Sequence, residues 1–233
     1  MKENELNLLQ RHFRFKEMQI TLAVLALVAL SFGEAKPILE EPKFCNDLEC
    51  PHFNTINKTD KYEVRSYPTP YKWVSTVVAG YEYDEAVRMG FMRLFKYIEG
   101  ANVKKMKIPM TVPVAVEIQP GQGPFCKNNF TINFFVPFED QADPAAPTEE
   151  DVFISTLPAI TAYVKVYGGY SNLDLVQKYS EELGEDLVKD GLGDTFRKDV
   201  FFTAGYNSPF KPINRHNEIW YLRKDSVAKP ILV

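Results

Sequence analysis

The sequence predicts a single α+β domain in which antiparallel strands form one sheet or barrel and two helices lie against it. Three observations carry this. Several segments alternate apolar and polar residues as strands do, two longer segments repeat apolar residues as helices do, and the order strand, helix, strand, strand occurs twice.

The first strand signal covers residues 62–67 and resumes over 72–78. Pro68 and Pro70 interrupt it, and because proline cannot donate to a ladder they mark an edge or a bulge. A helix follows over 83–98, where Val87, Phe91, Leu94, Phe95 and Ile98 recur at helical spacing. Asp84 and Glu85 fall in its first turn, where the helix dipole favours acids, and Gly100 stops it. Strands over 111–118 and 130–136 lead into a connector rich in proline and acids, 137–150. The second round has a strand over 161–167 and a helix over 172–189 with Leu173, Val176, Leu183 and Leu187 on one face. Asp190-Gly191-Leu192-Gly193 ends that helix, and strands return over 200–204 and 218–223. Gly80-Tyr81 recurs as Gly169-Tyr170, Val87 as Val176 and Leu94 as Leu183, each at an offset of 89, which points to a duplicated β-α-β-β unit.

Across 233 residues the chain is 45% apolar and 13% aromatic, which excludes a disordered or collagen-like chain. With 27 Lys and Arg against 31 Asp and Glu it lacks the broad positive field that nucleic acid or an anionic membrane would attract. Residues 18–33 carry no charge, follow Arg11, Arg14 and Lys16, and end at Gly33-Glu34-Ala35. This reads as a signal peptide over 1–35, too short in its apolar part for the roughly 20 residues of a membrane span. A secreted chain starting near Lys36 is expected, without stable membrane insertion. It would comprise a Cys-containing extension (36–52), a main domain (53–224) and a tail (225–233). Two glycosylation sequons, at Asn57 and Asn129, fit that route. In an oxidising compartment Cys45 and Cys50, five apart, pair most simply with each other and leave Cys126 over.

Catalytic patterns are absent from the sequence. The three histidines have no metal-ligand spacing, and there is neither a Gly-x-Ser-x-Gly elbow nor a phosphate-cradling glycine loop. No enzyme and no metal centre is expected. The first helix is more informative, because Arg88, Met92 and Lys96 form a row beside the apolar stripe with Phe95 between. Such a border suits a flat apolar ligand carrying carboxylates, its rings on Phe and Met and its acids at the cations. Long basic side chains covering the edge of a core-facing stripe produce the same pattern.

Tyr62-Glu63-Val64-Arg65, Lys72-Trp73-Val74-Ser75-Thr76, Met106-Lys107-Ile108-Pro109-Met110-Thr111-Val112-Pro113-Val114, Thr203-Ala204-Gly205-Tyr206-Asn207-Ser208-Pro209 and Asn217-Glu218-Ile219-Trp220 closely resemble segments of the SOUL/heme-binding protein family. The Cys-rich start after a leader resembles its secreted, heme-binding-protein-2-like members. The resemblance implies a twisted antiparallel β-barrel with two flanking helices, built from two related halves. It also implies non-covalent binding of heme or another tetrapyrrole in a shallow apolar site on the first helix, with basic side chains at the propionates. Carried over by motif, the basic positions fall on Arg88, Lys96 and Lys211, and with Phe91, Met92 and Phe95 of the helix row and stripe they make up the expected site. In one branch a histidine directly after the Tyr-Glu-Val-Arg motif is a proposed axial ligand; Ser66 stands there, and a hydroxyl is a poor ligand for heme iron. The resemblance also offers a protein-protein interaction module as an alternative, through a death-protein-binding helix matching 183–194. That stretch lacks a clean Leu-x-x-x-Gly-Asp, and a secreted chain would not meet cytosolic partners.

Overall fold

The computed structural model describes residues 42–80, 82–121 and 128–226. The expected leader, Cys126 and most of the expected tail lie outside them. The strands are β1 (Asn54–Lys58), β2 (Glu63–Tyr67), β3 (Tyr71–Gly80), β4 (Val114–Gln119), β5 (Asn128–Phe135), β6 (Phe153–Leu157), β7 (Ile160–Tyr167), β8 (Phe201–Gly205) and β9 (Asn217–Leu222). Helix α1 spans Tyr83–Ile98 and α2 spans Leu173–Lys189. The Asn172 side chain caps α2 by accepting from the Leu175 amide, while α1 relies on Asp84 and Glu85 in its first turn.

All neighbouring strands pair antiparallel, in the order β1-β2-β7-β9-β8-β4-β5-β3-β6. Setting β1 aside, that order maps onto itself when β2, β3, β4 and β5 are exchanged with β6, β7, β8 and β9. The expected duplication is therefore written into the topology, and its unit is ββαββ, one strand longer than the sequence suggested. Tyr71 and Ile160, which open β3 and β7, lie 89 apart (160 − 71), as do Asn128 and Asn217, which open β5 and β9 (217 − 128). The first strand of each unit is traded, so that β2 pairs with β7 and β6 with β3. The sheet is open rather than a closed barrel, with β1 and β6 at its edges. The sequence Asn-Thr-Ile-Asn-Lys of β1 is mostly exposed and polar, which discourages further pairing.

Both helices pack on one face of the sheet, α1 over β3 and β5 and α2 over β7 and β9. Helix α1 buries Tyr83, Ala86, Gly90, Leu94, Tyr97 and Ile98, and only half-buries Val87 and Phe91. The contact line is thus rotated from the expected stripe of large apolar residues. Small residues explain the rotation: a Cβ on Gly90 would lie 2.5 Å from Ile132 Cδ1, so the helix approaches β5 most closely where it has no side chain. Gly90→Ala should cost about 1–3 kcal/mol in overpacking against about 1 kcal/mol gained in helix propensity, a net loss of about 1 kcal/mol. Urea denaturation checks this, and a stabilised variant would mean that the Ile132 side chain yields freely.

Candidate functional site

Three of the family-like motifs meet on the sheet face opposite the helices. Arg65 on β2 is fully buried, and its Nη1 donates to Glu218 Oε1 on β9 at 2.8 Å, while its other nitrogens donate to Glu63 Oε2. The Tyr206 hydroxyl and the Trp220 indole N–H donate to Glu218 Oε2 at 2.9 and 2.7 Å, and His216 Nε2 lies 2.6 Å from Oε1. Burial alone would push the Glu218 carboxyl up; the Arg65 charge, followed by His216 and Trp220, outweighs it and holds the group at about 2. Phe53 and Phe44 lie over the guanidinium at 4.3 and 5.4 Å. The two rings flank the loop closed by the disulfide Cys45–Cys50, the pairing the spacing suggested, and Phe44, directly before that loop, stacks on His216 at 4.1 Å. Four groups occupy the Glu218 oxygens, so this cluster organises the core and offers no open coordination position. Among the described residues no group of three or more His, Cys, Asp or Glu could hold a metal.

Strand alternation turns Ser66 to the opposite side from Arg65, the side of Val64, which belongs to the cluster containing Leu183 and Leu187 of α2. Ser66 therefore faces the helix-bearing side of the sheet on β2, with four strands (β7, β9, β8 and β4) between it and the pair beneath α1, and is no neighbour of a ligand on that helix.

On α1, the structure brings Arg88, Phe91, Met92, Phe95 and Lys96 onto one side. Met92 is 48% exposed and Phe95 37%. Phe91 is half-buried, stacks on Phe95 at 5.9 Å and meets Phe134 edge-on at 5.2 Å, so it anchors the exposed ring to the core. Arg88 and Lys96 are exposed, and neither makes an ion pair or side-chain hydrogen bond with the described residues. Arg93, by contrast, is tied down by Asp151 and Thr76. Met89, also exposed, extends the patch by one turn. Its i−3 spacing from Met92 is the sequence signal for it, although it stands off the i, i+4 row of Arg88, Met92 and Lys96.

Lys211 sits apart from these residues, in the β8–β9 loop, where its Nζ donates to Asn46 Oδ1 of the disulfide loop at 3.3 Å. Arg215 braces this loop by donating to the carbonyls of Asn207, Ser208 and Lys211 while lying 4.4 Å over the Tyr170 ring.

The duplication supplies an internal comparison for α1. Shifted by 89, Arg88, Met89, Met92 and Lys96 correspond to Gln177, Lys178, Glu181 and Glu185 of α2, and all eight are exposed. The half-buried Gly184 stands where α1 has Phe95. The same position in the fold thus carries two methionines between cations on one helix and only polar or charged side chains, two of them acidic, on the other. On α2, Leu183 and Leu187 are completely buried, so the stretch matched to an interaction helix keeps its leucines in the core. Asn57 on β1 and Asn129 on β5 are both exposed. Among the described residues no helix is long and apolar enough to cross a membrane.

The family model described as SOUL heme-binding protein matches residues 48–222. Heme-binding protein 2 of Homo sapiens is 43% identical over 168 residues, covering 72% of this chain and 80% of that protein. Heme-binding protein 2 of Mus musculus is 39% identical over 182 residues, covering 76% and 87%. Heme-binding protein 1 of Xenopus laevis is 32% identical over 168 residues, covering 70% and 84%. A cryo-EM structure of an EcmrR–DNA complex superposes with a TM-score of 0.52 at 10% identity, over 92% of this chain and 69% of that one, a likeness of fold alone. The family match spans most of the chain and includes the Arg65–Glu218 cluster and both halves of the duplication: the protein belongs to the SOUL heme-binding protein family.

Proposed function

We propose that the protein is a secreted, non-catalytic binding protein for heme or a related tetrapyrrole, held non-covalently on the outer face of α1. One observation carries the reading: α1 exposes Met89, Met92 and Phe95 between two cations that have no ion pair among the described residues, whereas the equivalent face of α2 is polar, so the fold itself does not require that surface. The rings of a tetrapyrrole would pack on Met92 and Phe95, and Arg88 and Lys96, two turns apart, would meet its carboxylates. The names of the relatives support this ligand class. No protein side chain is assigned to the iron, since Ser66 on β2 is separated by four strands from the pair beneath α1. Lys211 contributes only if the β8–β9 loop reaches the ligand's rim. Export is supported by the leader pattern, the disulfide and the exposure of both sequon asparagines; a chain recovered from the cytosol with Met1 intact would overturn it.

Hemin titration followed at the Soret band tests the site. Because exposed charges act through screened water, Arg88→Ala and Lys96→Ala should each weaken binding a few-fold, and added salt should weaken the wild type more than the double variant. Adding Met92→Glu to the pair should reduce affinity much further. Unchanged affinity in that folded triple variant would place the ligand elsewhere and return the basic row to simple coverage of the helix edge.

A further inference from the structure

On the sheet face turned away from α1 lies a cavity of about 500 Å³, walled by Trp73, Phe202, Trp220 and Leu222, with Phe153 of edge strand β6 at its rim. We infer that this cavity binds a lipophilic aromatic cation, its rings between the tryptophans and Phe202 and its charge at Glu117. The polar groups around the cavity decide the class of ligand. Asn133 is spent within the chain, donating to the Ala115 and Thr131 carbonyls and accepting from Ser75, which also bonds Ser155. Arg197 is committed to Asp199 through two hydrogen bonds. Glu117 differs. Gln119 donates to its Oε1 at 2.8 Å, while Oε2 has no hydrogen-bond donor among the described residues and no cation forms an ion pair with it.

Burial pushes the Glu117 carboxyl above its usual value, with the Gln119 hydrogen bond and the Arg197 charge only partly opposing it, as expected for a carboxylate whose desolvation is incompletely offset. A ligand cation would offset it, and the surrounding aromatic faces attract cations through their quadrupoles. An anionic ligand would add a second negative charge beside Glu117, and a neutral one would leave that charge uncompensated. The site is separate from the α1 surface, whose Arg88 and Lys96 repel a cation.

Trp73 and Trp220 are the only two tryptophans in the chain and both line the cavity, so intrinsic fluorescence reports on it directly. Titration of the mature protein at neutral pH with N-methylacridinium should give saturable quenching, with affinity at least tenfold tighter than for neutral acridine. Glu117→Gln should erase that preference while leaving acridine binding and hemin affinity unchanged. Phe153→Ala, at the exposed rim, should weaken both probes alike and keeps the test open should Glu117→Gln fold poorly. Equal affinity for the two probes, no saturable quenching, or a folded Glu117→Gln variant that still prefers the cation would each overturn the inference. Failure of hemin binding would bear on the α1 site alone, because the two readouts share no residue.

Discussion

An Arg65→Met variant is expected to lose about 3–5 kcal/mol of stability, because it strips a buried carboxylate of its guanidinium while leaving the carboxylate in place. Glu218 would keep His216 and the Tyr206 and Trp220 donors, which offset less of its desolvation than the Arg65 charge does. In the wild type its pKa lies at about 2, below the usual 4.5. A depressed carboxylate contributes stability that is fully present above the unfolded-state value and is lost as pH falls from about 4.5 through about 2. That contribution is on the order of 3 kcal/mol at neutral pH. Urea melts of both proteins between pH 2 and pH 7 check the pair of expectations: the wild type should weaken across the acidic window, and Arg65→Met should start low and lose less. An Arg65→Met protein within 1 kcal/mol of wild type at pH 7 would show that the cluster is not organised around this ion pair. Combining Arg65→Met with Glu218→Gln should recover part of the loss, since it removes the stranded charge along with its partner.

Leu183→Ala should cost about 2–5 kcal/mol, the range for truncating a fully buried leucine. Leu183 is 0% exposed and packs with Leu187, Val176 and the sheet residues Val64 and Ile219 in one cluster. The variant separates a core role from a docking role, for a leucine that served a partner's groove would be exposed and its loss would leave the urea midpoint unchanged. Hemin affinity per folded molecule should be preserved, since α1 packs on β3 and β5 and α2 on β7 and β9.

Periodicity and stop signals made the helices legible. Both ends of α1 fall where the acidic first turn and Gly100 place them, and Asn172 acts as the cap that starts α2. The strands that alternate were legible too, whereas β1 and β6 were not: β1 is polar along most of its length, and the five-residue β6 follows directly on a proline-rich connector. The buried side of α1 was misjudged in one respect. A reading weighted by side-chain size favours Val87 and Phe91, but the sheet is approached most closely through Ala86 and Gly90. For the candidate site, the cationic row could be read from helical spacing alone, because five of its six members share one helix. The position of Lys211 beside Asn46, 165 residues away in the chain, depends on tertiary folding and has no local signature. The same holds for Arg65 and Glu218, separated by 153 residues, and for a cavity whose walls come from several strands.

The trading of first strands between the halves has a consequence for cooperativity. Because β2 completes the ladder of β7 and β6 completes that of β3, neither half of the chain can form its full sheet without the other. The covalent connector between β5 and β6 is then not what holds the halves together. A cut there would leave both clasped through β2–β7, β3–β6 and the central β4–β8 seam, and release would require all three ladders to part. The two repeats therefore melt as one unit rather than in sequence, and damage to the core of either half is felt by both.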